Sequence, residues 1–172
     1  MLKYGIAIFP SKKLQDIANS YRKRYDPHYT LIPPHITIKG MFEVDDEKIK
    51  EVVNQVRSIA KTTPPFPLNV YKVGSFHPVT NTIFLGVKNH ETLLQLQSDL
   101  NSGALEQAQE FSFVPHITIG QKMSDAEHSD VLESMKMMDI NHEEIVDRFQ
   151  LLYQLENGSW TVYETFLLGE DC

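Results

Sequence analysis

Residues 34–38 read Pro-His-Ile-Thr-Ile, and residues 115–119 read Pro-His-Ile-Thr-Ile again. The two histidines, His35 and His116, are 81 residues apart, close to half of the 172-residue chain. Such a word recurs by chance with a probability on the order of one in a hundred, so the coincidence points to an internal duplication. The surroundings agree. Gly5-Ile6-Ala7-Ile8-Phe9 precedes a helix pattern and the first copy, as Ile83-Phe84-Leu85-Gly86-Val87 precedes a helix pattern and the second. Side chains on a strand alternate between faces with period two. In each copy the imidazole and the hydroxyl therefore share one face, while both isoleucines point into the core. A twofold relation between the copies lets His35, Thr37, His116 and Thr118 line one cleft.

Working outward, residues 4–9 read as a short buried strand bounded by Pro10. Ser11 is expected to cap a helix whose apolar face is Leu14, Ile17, Ala18, Tyr21 and Tyr25. A turn-rich stretch, Asp26 to Pro34, leads into a strand from His35 to Phe42. Asp45 and Asp46 are expected to start the next helix, with the stripe Ile49, Val52, Val53, Val56 and Ile59, and the prolines between Thr62 and Pro67 end it. Strands follow at about 68–76 and 82–88, then a helix marked by Leu93, Leu94, Leu96 and Leu100, and a strand from Val114 to Gln121. Ser124 and Glu127 form a capping box ahead of a fourth helix with Val131, Leu132 and Met135. The chain ends on a hairpin, 148–155 and 160–168, with Asn157-Gly158 expected as a type I′ turn. The resulting class is α+β: a bilobal, pseudo-twofold duplicated fold, with two antiparallel sheets lining a central cleft and helices packed outside. Residues 1–172 read as a single domain of two intertwined lobes, repeat one at about 1–76 and repeat two at about 82–155, with a final strand at 160–168.

Composition bounds the function classes. Hydrophobic residues make up 41% and charged residues 23%, which is ordinary globular usage and excludes a disordered tail protein. Sixteen Lys and Arg against 23 Asp and Glu give a net charge of −7, which argues against bulk coating of nucleic acid or of anionic membrane. No signal peptide and no membrane-length apolar run is visible, and Cys172 is the single cysteine, so an intrachain disulfide and cysteine-based metal sites are excluded. The expected setting is cytoplasmic and soluble, as a monomer or weak dimer.

Two imidazoles suit phosphodiester cleavage, which needs a base for the nucleophile and an acid for the leaving oxygen. With an ordinary pKa near 6.5, histidine holds either role at neutral pH, so a bell-shaped pH profile bracketing neutrality is expected. Thr37 and Thr118 are placed to donate to the non-bridging oxygens, where charge concentrates in the transition state. The chemistry calls for no metal and no cofactor. A zinc site built on the two histidines ranks lower, since no Asp or Glu lies within either strand word.

The duplicated H-x-T words resemble the two-histidine (2H, LigT-like) phosphoesterase superfamily. The opening Lys3-Tyr4-Gly5-Ile6-Ala7-Ile8-Phe9-Pro10, with Pro-Pro-His-Ile-Thr-Ile-Lys-Gly and Val-Pro-His-Ile-Thr-Ile-Gly, resembles its YjcG-like branch, across essentially the whole chain. The resemblance implies a metal-independent enzyme acting on 2′,3′-cyclic or 2′,5′ phosphodiesters of RNA ends or small nucleotides. By motif position it implies His35 as general acid (proton donor), His116 as general base (proton acceptor), and Thr37 and Thr118 as phosphate-binding. The acid and base labels exchange with the direction of reaction. Two alternatives stand beside hydrolysis: binding of a phosphate ligand or RNA end without turnover, and ligation by the same chemistry in reverse.

Further residues carry a second reading each. Lys39, four positions after His35 on the same strand face, either adds positive charge to the cleft or is solvated; the matching position in the second copy is Gly120, which either admits a ligand closely or ends the strand. His77, in a Phe-His-Pro turn, is a candidate for the cleft rim and for substrate binding. Tyr4, Phe9, Phe76, Phe84 and Tyr163 are either stacking partners or core. His28, His90, His128 and His142 read as surface residues. Arg22, Lys23 and Arg24 read as a basic run that complements a helix end.

Overall fold

A computed structural model of the chain describes residues 2–107 and 112–169; Cys172, on which the cysteine reading rests, lies outside the described residues. The elements run β1 (Leu2–Ile8), α1 (Lys12–Tyr25), β2 (Ile36–Val44), α2 (Ile49–Thr62), β3 (Phe66–Ser75), β4 (Ile83–Val87), α3 (Glu91–Leu100), a 3₁₀ turn (Gly103–Leu105), β5 (His116–Gly120), α4 (Asp125–Lys136), β6 (His142–Val146), β7 (Arg148–Gln154) and β8 (Trp160–Leu167). They build two four-stranded sheets, ordered β2-β1-β7-β8 and β5-β4-β3-β6, whose pairings are antiparallel. The orders match when β1 is exchanged with β4, β2 with β5, β7 with β3, and β8 with β6. The fold is thus a duplicated α+β architecture. The lobes interleave: β3 comes early in the chain but joins the sheet of β4 and β5, and β7 returns to the sheet of β1 and β2.

The helices start where side chains satisfy their first amides. Ser11 accepts from the Leu14 amide on α1, and Ser124 accepts from the Glu127 amide on α4. His90, read from sequence as a surface residue, caps α3: its Nδ1 accepts from the Thr92 amide at 3.1 Å, and its ring stacks on Phe66. α2 begins at Ile49 rather than at Asp45, because Asp45 first accepts the Lys48 amide in a turn. The terminal hairpin also differs from expectation. A type I′ turn needs positive φ at two residues, but only Gly158 has it (φ 89°), so Asn157 instead bonds the Ser159 amide in a three-residue loop. β6 is a short edge strand beside β3 that carries His142, another histidine read as a surface residue. Its ring is mostly covered and bonds Glu144.

The motif strands lie face to face because each lobe lends a helix to the other. α1 packs against β5, where the Tyr25 carbonyl accepts the Gln121 amide at 3.0 Å, and α3 packs against β2. Gly120 serves that contact: a Cβ there would meet Tyr25 Cβ at 3.0 Å and Met123 Cε at 3.1 Å, so the glycine admits a helix rather than a ligand. Ile36, Ile38, Ile117 and Ile119 are all at most 2% exposed, which orients His35, Thr37, His116 and Thr118 to the opposite faces. Burying each isoleucine contributes about 1.5–3 kcal/mol, and this holds the register of the polar groups.

Candidate active site

The two histidines are held by the same device. His35 Nδ1 donates to the Pro33 carbonyl at 2.9 Å, and His116 Nδ1 donates to the Val114 carbonyl at 2.6 Å, each two residues back. A carbonyl only accepts, so Nδ1 carries the hydrogen and Nε2 is the atom left to exchange a proton. Burial pushes His35 down to about 4. The Pro33 hydrogen bond opposes that shift, and the charges of Arg22 and His116 add to it. Burial likewise lowers His116, against the Val114 hydrogen bond. Both imidazoles of the free protein are therefore neutral at pH 7, and the pair titrates on the acid side of neutrality rather than around it. The rings of Phe76 and Phe84 meet His116 at 86° and 62°, with centroids 4.9 and 5.2 Å away.

Two cavities meet at the motif strands. The first, of about 230 Å³, is lined by His35, Thr37, Lys39 and Thr118 together with Arg22, Asp26, His28, Gln121 and Trp160. The second, of about 670 Å³, is lined by His116 and Thr37 and by Phe76, Val79, Phe113 and Val114. Thr37 and Gly40 line both, so the cavity that holds His35 and the cavity that holds His116 adjoin at these residues.

Lys39 is 3% exposed, which removes the solvated alternative. Its Nζ donates to the Leu105 carbonyl at 2.7 Å and to Asn101 Oδ1 at 3.3 Å, and burial lowers it to about 8. His77 lines neither cavity. Its Nδ1 pairs with Asn81 Oδ1 at 2.9 Å, and its ring stacks on His128. His128 is a buried residue at 4% exposure, not a surface one, because its Nε2 lies 2.6 Å from Ser75 Oγ across 53 residues of sequence. Of the aromatic candidates, Phe76 lines the second cavity, while Tyr4 and Phe84 are core.

Sequence reading missed a polar network on the floor of the first cavity. Arg22 is not a solvated helix-end charge: at 2% exposure its Nε donates to Asp26 Oδ2 at 3.4 Å, its Nη1 to Asn19 and its Nη2 to the Ile32 carbonyl at 2.6 Å. Asp26 Oδ1 in turn accepts the His28 amide and Gln121 Nε2, and His28 lines the cavity instead of the surface. The i,i+4 spacing of Arg22 and Asp26 was the available signal. Among the described residues no three His, Cys, Asp or Glu side chains cluster as a metal site, and no helix is long and apolar enough to cross a membrane.

Comparison with known proteins places these features in context. The profile of the family described as the 2′-5′ RNA ligase superfamily matches residues 9–158. The chain is 58% identical to a protein of Halalkalibacterium halodurans named "Putative phosphoesterase", over 99% of each chain. It is 59% identical to a protein of the same name from a Geobacillus species, covering 98% of this chain and 97% of that one. Its fold superposes on Escherichia coli LigT, solved with 3′-AMP, with a TM-score of 0.74 over 98% of this chain and 99% of the other, at 18% identity.

Proposed function

From the premise that this chain belongs to the 2′-5′ RNA ligase superfamily of two-histidine phosphoesterases, we propose that it cleaves a cyclic or 2′,5′-type phosphodiester by acid–base catalysis between His35 and His116. The chain is a phosphoesterase at the level its relatives share; the substrate type and the mechanism are our reading. The observation that carries it is the matched anchoring of two imidazoles at Nδ1 across a cleft that also presents two threonine hydroxyls.

In the hydrolytic direction one Nε2 takes a proton from water as its oxygen bonds to phosphorus. The other Nε2–H delivers a proton to the ester oxygen as its bond to phosphorus breaks. The site ends with the proton on the opposite ring, and exchange with solvent resets it. Thr37 and Thr118 donate to the non-bridging oxygens, and Lys39 adds charge to the same cavity. Acid, base and oxyanion donors are all supplied by side chains, so no step calls for a metal. Substrate helps to set the protonation state: an anionic diester between the rings favours the imidazolium that burial disfavours in the free protein. Reversal of the same proton transfers would join ends rather than cleave them. The substrate in this reading is a small molecule or an RNA terminus, met in the cytoplasm.

The test is hydrolysis of a panel of 2′,3′-cyclic nucleotides and short 2′,5′-linked oligonucleotides with chelator present, for wild type, His35→Ala and His116→Ala. Turnover that survives chelation and falls by about 10²–10⁴-fold in each variant is expected. Turnover unchanged by both substitutions overturns the reading.

A further inference from the structure

A second group of imidazoles, His77 and His128, lines neither cavity and is left unused by the cleft chemistry. The loop 76–82 between β3 and β4 carries Phe76, Val79 and Thr80 into the wall of the larger cavity. Three contacts fasten this loop to α4 and to the residues just before it. Ser75 Oγ, at the end of β3, shares a hydrogen with the Nε2 of the buried His128 at 2.6 Å. Asn81 Nδ2 donates to Asp125 Oδ1 at 2.8 Å and to the Met123 carbonyl at 3.0 Å. The His77 ring stacks on that of His128, with centroids 5.1 Å apart, and its Nδ1 donates to Asn81 Oδ1 at 2.9 Å.

The Ser75 oxygen has a second task. It accepts the His77 amide at 3.0 Å, closing a short serine turn around Phe76. The Phe76 ring so held meets His116 at 86° with centroids 4.9 Å apart, and packs on Phe84 at 4.4 Å. α4 directly follows β5, the strand that bears His116. The ring that covers His116 is therefore tied to the same stretch of chain as His116 itself. Resting on the two-histidine reading above, we propose that His128 is a positioning residue for His116, acting through Ser75 to fix the Phe76 ring against the imidazole. A serine hydroxyl on its own has three staggered rotamers to choose from. The bond to His128 selects the one whose oxygen reaches the His77 amide, and a buried imidazole nitrogen left without that partner is costly, so the tie holds from both ends. Burial is what lowers His116, and Phe76 supplies part of that cover. A Phe76 ring released from the turn lets water reach the imidazolium, so the His116 titration moves up toward 6.5. The Val114 carbonyl keeps its hold on Nδ1 in either case, and His35 is the titrating ring that couples to His116.

The test compares Ser75→Ala, His128→Leu and His128→Gln with wild type and with Val131→Ala, a packing change at a buried position of the same helix. The His116 ring is titrated by NMR in the free protein, and kcat and KM are measured on a 2′,3′-cyclic nucleotide with chelator present. Ser75→Ala and His128→Leu are expected to raise the His116 titration by about half a unit or more and to lower kcat by roughly tenfold, with KM changed less. His128→Gln, whose carboxamide still offers Ser75 a hydrogen-bonding partner, is expected to stay close to wild type in both. Val131→Ala is expected to lower the melting temperature and leave the His116 titration in place. On a Phe76→Leu background Ser75→Ala is expected to add little, because the ring it would release is gone. Ser75→Ala alone carries the test where His128→Leu does not fold. A His116 titration unmoved by Ser75→Ala, or moved as far by Val131→Ala, overturns the proposal while leaving the two-histidine reading in place. So does a Ser75→Ala effect that persists in full without Phe76. The expected shift in a protein whose wild type turns over no diester upholds the placement of the ring by His128 and overturns the catalytic reading.

Discussion

The decisive atoms are four nitrogens on two rings. Because each Nδ1 is committed to a carbonyl two residues back, each ring exchanges protons at Nε2 alone. Acid–base turnover needs one ring protonated and one neutral. With burial holding His35 at about 4 and His116 below its ordinary 6.5, that form of the free protein is most abundant between those values. The expected kcat/KM profile therefore peaks below pH 7 and falls about tenfold per unit above the upper pKa. The kcat profile lies further toward neutrality, since the bound anion raises both rings. A kcat/KM maximum above pH 7 would contradict this assignment of the pair. Thr37 faces both cavities, so Thr37→Ala should cost about 10²-fold in kcat with little change in thermal stability, as measured by steady-state kinetics beside a melting curve. These four residues were legible in the sequence because strand alternation is local: isoleucines at every second position dictate where the intervening side chains face. Arg22 and His128 were not. Their burial depends on the Ile32 carbonyl and the Ser75 hydroxyl, partners brought in by the fold.

At the scale of elements, the β3–β4 pair sets the back wall of His116. Gly74 lies opposite Phe84 in the register, and the Phe84 ring covers it so closely that an added Cβ would meet Phe84 Cζ at 2.7 Å. The ring is wedged between that glycine and Phe76, and it meets His116 at 62° with centroids 5.2 Å apart. Gly74→Ala should displace the Phe84 ring, cost about 1–3 kcal/mol in stability and reduce turnover more than Phe76→Leu does. Urea unfolding, with kinetics on both variants, checks this; a Gly74→Ala protein as stable and active as wild type would show that the ring is free to move. The longer elements were legible from periodicity and caps, as Ser11 and Ser124 show. β6 was not: it is five residues long, pairs among the described residues only with β3, and carries His-Glu-Glu where a buried strand shows apolar alternation. Loop chemistry was harder again, since Asn157-Gly158 suggests one hairpin turn and the chain adopts another with positive φ at the glycine alone.

For the whole molecule, the two-lobed plan was readable from the repeated word, but which strand joins which sheet was not, because β3 and β7 cross between lobes. One consequence of the interleaving is a polar clasp built from residues that line neither cavity. Glu144 on β6 accepts the Ser11 amide at 2.8 Å and its hydroxyl at 2.7 Å, and it pairs with His142 at 2.6 Å, tying the start of α1 to the opposite sheet. Desolvation would raise the Glu144 carboxyl, but the hydrogen bonds from Ser11 and His142 outweigh it and hold the group below its ordinary 4.5. Its stabilising contribution is thus present above 4.5 and is lost as pH falls through the lowered value. The cleft histidines act in a higher window. The unfolded chain binds protons near 6.5 whereas the folded His35 resists them to about 4, so stability falls as pH drops through that interval. Acid unfolding should accordingly proceed in two stretches, the first set by the cleft and the second by the clasp. His35→Gln should flatten the decline between pH 6.5 and 4 while leaving the lower stretch. Glu144→Gln should lower the melting temperature at pH 7 and flatten the decline below 4.5. Melting temperatures from pH 7 to 3 for the three proteins separate the two, and a single decline unaffected by either substitution would mean that neither the cleft nor the clasp carries the acid lability of the fold.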